Sequence, residues 1–484
     1  MRSVGVGIAA LVLLIARPAH AQPADNNFAI DLFQGPILAP IRVTSMAGAY
    51  AGYAEGIAGF VSNAASPAIR HSHSSAWWDM DLDASFSVPI PLFGNNDFDN
   101  SGDLDADYTN FIYLSGGLQL QAGPFGAGFF GDLQRYTLTF ANGESNIVLV
   151  GRYHLLVAWQ FFGGQFALGG GARATTLGLS APEAEITFAG IAPQFGALIK
   201  PDWTPFRLGA TYRHRVNAGT SIGEGTGEDT NGVLRAGQLI MPNRVELPYE
   251  VELGIAIQVG ARPLNPSWID PNDHERELRV SYREREITRR RKRRRSLQAI
   301  DDPRARQALR EKWLVEEQEE NDRAARRMKR DFGRLRDERR ARAKNWPREH
   351  LLLTADLLIT GPVDGAIHLE RFLAQQQPSE ASTCAAVASG ESVNFSPRIG
   401  FEMEPVSQWV HTRFGSYYEP NRYRYTPSEC SDRIGRQHFT FGADVKLATT
   451  TWFGLVPEVT YKLQVYGDLA PRYQSFGAGF GVWY

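Results

Sequence analysis

Val251-Glu-Leu-Gly-Ile-Ala-Ile-Gln-Val259 sets Val251, Leu253, Ile255, Ile257 and Val259 on one face of an extended chain. Gly254, Ala256 and Gln258 fall on the other. Period two marks a strand with unlike faces. Apolar outside and small or polar inside is what a wall embedded in lipid requires. Phe439, Phe441, Ala443, Val445 and Leu447, opposed by Thr440, Gly442, Asp444 and Lys446, repeat the pattern. A soluble sandwich alternates too, so one strand decides nothing.

The count decides more. Strands are expected near 77–93, 110–122, 125–140, 146–162, 165–178, 185–199, 205–215, 245–261, 349–361, 393–405, 408–419, 437–449, 455–466 and 473–484. That makes fourteen, an even number that returns both ends of the sheet to one side. Phe476-Gly-Ala-Gly-Phe-Gly-Val-Trp-Tyr484 places aromatic residues in a final strand rather than a frayed tail. Hydrocarbon tolerates no open sheet edge, so the strands must close. The expected fold class is an all-β membrane protein, a 14-stranded antiparallel transmembrane β-barrel.

Composition agrees. Among 484 residues there are 47 Gly, 27 Phe, 17 Tyr, 10 Trp and only 2 Cys, which excludes a disulfide-dense fold. No second long apolar run exists to make a helical multi-pass protein. Met1–Ala21 reads as a secretory signal peptide, with Arg2, the apolar run Val4–Ile15 and the small-x-small site Ala19-His20-Ala21. The expected mature chain starts at Gln22 in an oxidising compartment.

Gly94–Thr109, Ala141–Ser145, Leu179–Ala184, Asn217–Arg244, Pro362–Ser392, Pro420–Gln437 and Gly467–Arg472 then become outward connections. Cys384 and Cys430 fall in two of them, and a disulfide between these loops is expected. Asp97, Asp99, Asp103 and Asp105 space carboxylates around Gly102, reminiscent of a calcium loop without its helices. A merely acidic, hydrated loop is the plainer reading, and no other cofactor is expected. His71 and His73 beside Asp79 and Asp81 suit polar contacts better than a metal. Neither a Ser-His-Asp set nor a nucleotide-binding glycine motif stands out, so no enzyme is expected.

Ser45–Ile69 is too rich in small residues to be a strand. It resembles the N-terminal hatch of the FadL-like outer-membrane transporters of hydrophobic compounds, with Gly48, Gly52, Asn63 and Pro67 as the matching positions; three residues separate the asparagine and the proline here. Leu247-Pro248 leading into Glu252-Leu-Gly254, Ser396-Pro-Arg-Ile-Gly-Phe-Glu402, Trp409 and Arg413–Pro420 are similar to the family's later strands. The resemblance implies a hatch plugging the barrel and hydrophobic ligands entering from outside. The domains read as 1–21 signal, 22–76 hatch, 77–264 barrel strands one to eight, 265–348 insertion and 349–484 strands nine to fourteen.

The insertion replaces a periplasmic turn. Residues 272–345 hold 26 basic against 16 acidic residues, while the remainder holds 25 against 37. Pro263, Pro266 and Pro271 open the excursion and Pro347 closes it. Glu275–Leu297 and Asp302–Asn345 read as two helices, with Asp301-Asp302-Pro303 as cap and first turn of the second. Met328, Phe332 and Leu335 form a stripe expected to be a seam in a helical hairpin or coiled coil. Arg290, Arg291, Arg293 and Arg294 form the densest positive patch, suited to a periplasmic protein or cell-wall partner; a solvated helix with internal charge pairs is the competing reading. Secretion argues against nucleic acid. The leading function is uptake of long-chain fatty acids or similar hydrophobic molecules. The alternative is a structural outer-membrane anchor presenting the hairpin. An aqueous porin is disfavoured because a hatch obstructs flow. An apolar pocket above the hatch would favour transport, and a filled interior with an ordered hairpin would favour the anchor.

Overall fold

The computed structural model describes residues 23, 25–71, 74, 76–90, 97–100, 106–140, 142–181, 183–221, 225–268, 270–376, 386–425, 435–450 and 459–483. Fourteen antiparallel strands ring the molecule. They are β1 Trp78–Pro89, β2 Ala106–Ala122, β3 Phe125–Phe140, β4 Ser145–Phe161, β5 Phe166–Ala181, β6 Ala184–Ile199 and β7 Phe206–Arg213. Then come β8 Glu250–Gly260, β9 His350–Thr360, β10 Asn394–Val406, β11 Val410–Glu419, β12 Arg436–Thr450, β13 Val459–Ala470 and β14 Tyr473–Val482. β14 pairs back onto β1 from Asp83↔Gly481 to Pro89↔Ser475, closing the barrel.

The alternation explains the wall. In β8, Leu253, Ile255, Ile257 and Val259 stand exposed while Glu252, Ala256 and Gln258 are buried inside. Phe439 and Phe441 of β12 also face out, with Thr440 and Asp444 inside. Trp77, Trp78, Trp159, Trp203 and Trp409 lie exposed at the periplasmic ends of strands, where an aromatic girdle meets the head groups. A closed sheet with an apolar outer band and such a girdle spans a bilayer.

Strand 125–140 falls where the sequence puts it. The thirteenth is described from Val459 on, and the expected start near 455 lies outside the described residues. β7 resumes as Val216–Ser221 beyond a break at His214-Arg215, and β8 is preceded by Arg244–Leu247 beyond a break at Pro248-Tyr249. The breaks lie side by side, between the pairs Arg213↔Glu250 and Val216↔Leu247. On the other flank, β6 pairs Gln194↔Arg213 and resumes only at Ala189↔Gly219. Three neighbouring strands are therefore irregular at one level.

The hatch occupies the lumen as α1 (Ile41–Ser45) and two short 3-10 turns, Ile57–Val61 and Ser66–Ala68. Upstream of it, Ala29–Asp31 forms a short strand lying parallel between Arg244–Glu246 and Ala366–His368 at the outward rim. On the opposite side stand α2 (Pro271–Gln298) and α3 (Pro303–Lys344). Asp270 caps α2, its Oδ1 accepting from Asn272 N–H at 2.8 Å, so Pro271 is the first helical residue and the helix starts before Glu275. Asp302 Oδ1 accepts from Arg304 N–H at 3.0 Å. At 1.5 Å per residue α3 is about 60 Å long. Neither helix is apolar enough to cross a membrane.

Candidate functional site: the barrel lumen

The hatch residues singled out in the sequence all touch the wall. Asn63 Nδ2 donates to Ala51 O at 2.9 Å and to Ala197 O of β6 at 3.0 Å, while its Oδ1 accepts from Ala65 N–H at 2.9 Å. One buried amide thereby joins two hatch turns to a strand. Pro67 O accepts from Gln119 Nε2 at 3.0 Å and Gln121 Nε2 at 2.9 Å, both on β2. Gly52 lies flat on β8, where a Cβ would stand 2.6 Å from the Ile255 backbone. Gly48 has φ of +71°, a conformation costly for other residues, and a Cβ there would meet the Arg398 guanidinium at 2.7 Å.

Around these contacts the periplasmic half of the lumen is ionic. Arg42 of α1 donates to Glu402 through Nε at 2.8 Å and Nη2 at 2.6 Å. Arg413 donates to the same carboxylate at 2.6 Å and to Asp444 through two bonds of 2.6 and 2.8 Å, and Lys462 completes the row at 3.3 Å from Asp444. This ladder crosses β10, β11, β12 and β13. On the other side, Arg207 donates to Glu55 at 2.8 Å, Tyr53 O at 2.8 Å, Asn265 Oδ1 at 2.7 Å and Leu264 O at 2.6 Å. Burial alone would raise the Glu55 carboxyl, but Arg207 and His71 hold it well below the usual range. Burial opposes the His71 charge as well, yet Asp81 at 3.5 Å and Glu55 at 3.4 Å raise its pKa. Asp81 and His71 both tie the hatch down, Asp81 also accepting from Ile57 N–H at 2.9 Å.

The outward half differs along the arc from β3 to β8. There the wall turns Tyr136, Leu138, Val148, Val150, Leu177, Leu179, Ile186, Phe188 and Val245 inward, all buried. Phe28, Ile30 and Leu32 of the N-terminal segment fill this lining, with Leu239, Ile240 and Met241 of an outward loop and Phe372 and Leu373 of α4 (Leu369–Leu373). The chain's own apolar residues occupy the place expected for a pocket. Below them a polar cavity of ≈ 110 Å³ remains, lined in part by Asp132, Arg152, His154, Arg173, Arg213 and Glu250. It abuts the strand breaks, where Arg173 Nε donates to His214 O at 2.9 Å and its Nη2 to Pro248 O. On the lipid side of the same strands, Phe195, Tyr212 and Val251 border an apolar crevice of ≈ 690 Å³.

Of the remaining sequence candidates, Arg290 pairs with Glu286 at 2.7 Å and across the hairpin with Glu317 at 3.1 Å, and Arg293 reaches Glu320 at 3.0 Å. Arg291 and Arg294 are exposed. Met328, Phe332 and Leu335 lie half-buried, with Arg279 over the Phe332 ring at 5.2 Å. Asp97 pairs with Arg472 at 3.2 Å and Asp99 turns toward His368, so these two aspartates do not converge; Asp103 and Asp105 lie outside the described residues. Cys384, Cys430 and His73 also lie outside them, as do Met1–Ala21 and Tyr484. Asn265, counted with the insertion in the sequence, is buried at the barrel mouth, its Nδ2 bonded to Pro201 O, Thr204 O and Phe206 O at 2.8–3.0 Å. The ion ladder escaped the sequence reading because its members look like ordinary inward polar positions until the sheet is closed.

No family model and no curated protein matches this sequence. Among solved structures, the chain is similar to the Pseudomonas putida toluene transporter TodX, with 10% identity, 93% of this chain and 98% of that one covered, and a TM-score of 0.45. It is similar to the CymD monoaromatic hydrocarbon channel at 9% identity, 93% and 97% coverage and a TM-score of 0.44. A Pseudomonas aeruginosa FadL homologue gives 10% identity, 94% and 98% coverage and a TM-score of 0.42. The last carries the name of the family that the hatch sequence resembles.

Proposed function

We propose that this protein is an outer-membrane uptake channel for long-chain fatty acids or similar hydrophobic molecules. The observation that carries the reading is the inward apolar lining from β3 to β8, which an aqueous pore does not need. A hydrophobic ligand gains about 0.8 kcal/mol per buried CH₂ on leaving water. Such a molecule competes for this lining with the side chains of Phe28, Ile30 and Leu32, whose backbone is held separately between Arg244–Glu246 and Ala366–His368. The strand breaks at His214 and Pro248, with a cavity inside and an apolar crevice outside, suit a sideways exit into lipid. The hatch acts as the seal below.

The test is uptake of radiolabelled oleate and toluene by cells expressing the protein in place of their own hydrophobe channel. Phe188→Asp and Leu177→Asp, in protein that still migrates as a heat-modifiable barrel, should lower uptake by about tenfold or more, a change worth about 1.4 kcal/mol. Uptake equal to that of the unmodified protein overturns the reading.

The filled outer lumen and the ordered hairpin support a second reading, a membrane anchor that presents α2 and α3 to a periplasmic protein or cell-wall polymer. Arg291 and Arg294 are then the docking residues, since Arg290 and Arg293 already serve pairs within the hairpin.

A further inference from the structure

At the outward rim, a cluster of polar groups lies apart from the lumen contacts described above. Asp99 comes from the segment 97–100, while His368 and Glu370 open α4 on the far side of the chain. All three are buried, with relative exposures of 8%, 2% and 2%. One donor atom from each lies within 4.8 Å of the others, and His368 Nδ1 stands 4.0 Å from Asp99 Oδ2. Tyr423 Oη donates to that same carboxylate oxygen at 3.5 Å.

His368 is the informative member. Neither ring nitrogen completes a hydrogen bond among the described residues, although the Ala386 backbone approaches the ring. A buried polar group without a partner costs about 1–3 kcal/mol, and the Asp99 and Glu370 carboxylates beside the ring bring the negative charge that a cation there would need. One divalent ion would satisfy the imidazole and be neutralised by the two carboxylates. We propose that Asp99, His368 and Glu370 form a divalent-metal site of the zinc class, completed by water. An imidazole nitrogen with two carboxylate oxygens suits Zn²⁺, with bonds of about 2.0–2.2 Å, better than the all-oxygen shell that Ca²⁺ prefers. The donors must close inward from their present spread of up to 4.8 Å.

The site has a structural consequence. Phe98, next to Asp99, and Leu369 and Phe372, flanking Glu370, all belong to the apolar filling of the outward lumen. A bound ion clasps these two pieces of the filling together. Any effect of the ion on ligand entry rests on the proposed uptake function; the binding itself does not.

The experiment uses the full chain in detergent, stripped by chelator, titrated with Zn²⁺ by calorimetry and with Co²⁺ by absorption. The protein should bind about one equivalent with a ligand-field band that Zn²⁺ displaces. His368→Gln and Glu370→Gln should each remove that equivalent or weaken it by about tenfold or more, while Cys384→Ser with Cys430→Ser should leave it. Asp99→Asn is the third probe if either of the first two fails to fold as a heat-modifiable barrel. No binding by the unmodified protein, binding unchanged in the folded variants, or a preference for Ca²⁺ over Zn²⁺ overturns the assignment. Loss of the ion with oleate uptake unchanged supports the site and rejects a role for it in entry.

Discussion

At the outward end of the arc from β3 to β8 the wall turns Leu138, Val150, Leu177 and Phe188 into the lumen, whereas nearer the periplasm it turns in Arg207, Arg213 and Glu252. The two linings hold their contents by different physics. Arg207 meets Glu55, Tyr53 O, Asn265 and Leu264 O through directed bonds that no other segment could replace. Leu177 and Phe188 ask only for apolar surface of suitable volume. The charged end therefore fixes the hatch in one position, while at the apolar end the proposed ligand has only side-chain contacts to displace, the backbone of Ala29–Asp31 being paired on both flanks. Rigidity below and exchangeable side-chain contacts above are what the proposed uptake asks of a sealed barrel.

The contrast breaks first at its charged end. Removing one partner of a buried pair strands the other, at about 3–5 kcal/mol. Arg413→Ala leaves Asp444 with Lys462 at 3.3 Å and the more distant His411 at 3.9 Å, and takes one of two arginines from Glu402. It should lower the barrel's resistance to urea by that order, read from the heat-modifiable band. A change below about 1 kcal/mol would mean that the ladder is no stronger than a surface pair.

Asn63→Ala tests the hatch by itself and should cost about 1–3 kcal/mol, because Ala51 O and Ala197 O lose their shared donor. Hydrogen exchange should quicken through Ala51–Ala65 and leave β10–β13 unchanged. Protection retained across the hatch would reduce Asn63 to a dispensable contact.

Much of this is legible in the sequence alone. Lipid enforces a strict period of two, so Val251–Val259 and Phe439–Leu447 announced both their strand type and their outward faces. Asn63 and Pro67 stood out through the family resemblance, and each holds hatch to wall. The charged ladder did not stand out. Asp444 and Lys462 occupy inward positions that tolerate many polar residues, and only closure of the ring brings Arg413 and α1 beside them. Ala29–Asp31 was hidden for another reason: three residues are too few to display a period, and the pairing partners come from distant outward segments.

Acidity sharpens the comparison, since Glu55 and His71 titrate while Leu177 and Phe188 do not. Glu55 is held below its ordinary 4.5, so the stability it contributes is present above that pH and is lost as pH falls through its folded value. His71 is raised above 6.5, so its contribution is complete below 6.5 and fades as pH rises through its folded value. Exchange of the hatch amides should be slowest between these limits and should quicken on either side. A profile indifferent to pH in both the protein and Glu55→Gln would contradict the assigned pairs.

The smallest effect belongs to the hairpin, where the same residue types meet in water. Arg290→Glu with Arg293→Glu breaks pairs to Glu317 and Glu320 worth below about 1 kcal/mol each. Barrel stability should not change measurably, and replacing 272–345 by a short turn should still give a heat-modifiable barrel. Failure of that deletion to fold would show that the hairpin supports the wall rather than projecting from it.

The central claim, that ligand takes the place of the chain's own N-terminal residues, is tested most directly by locking them in place. Ile30 and Val245 are register partners, both buried in the apolar filling. Ile30→Cys with Val245→Cys, made with Cys384→Ser and Cys430→Ser, staples the segment to the wall through a reducible disulfide. Oleate uptake should fall by about tenfold or more when the staple is oxidised and return on reduction. Equal uptake in the oxidised and reduced states would contradict the account.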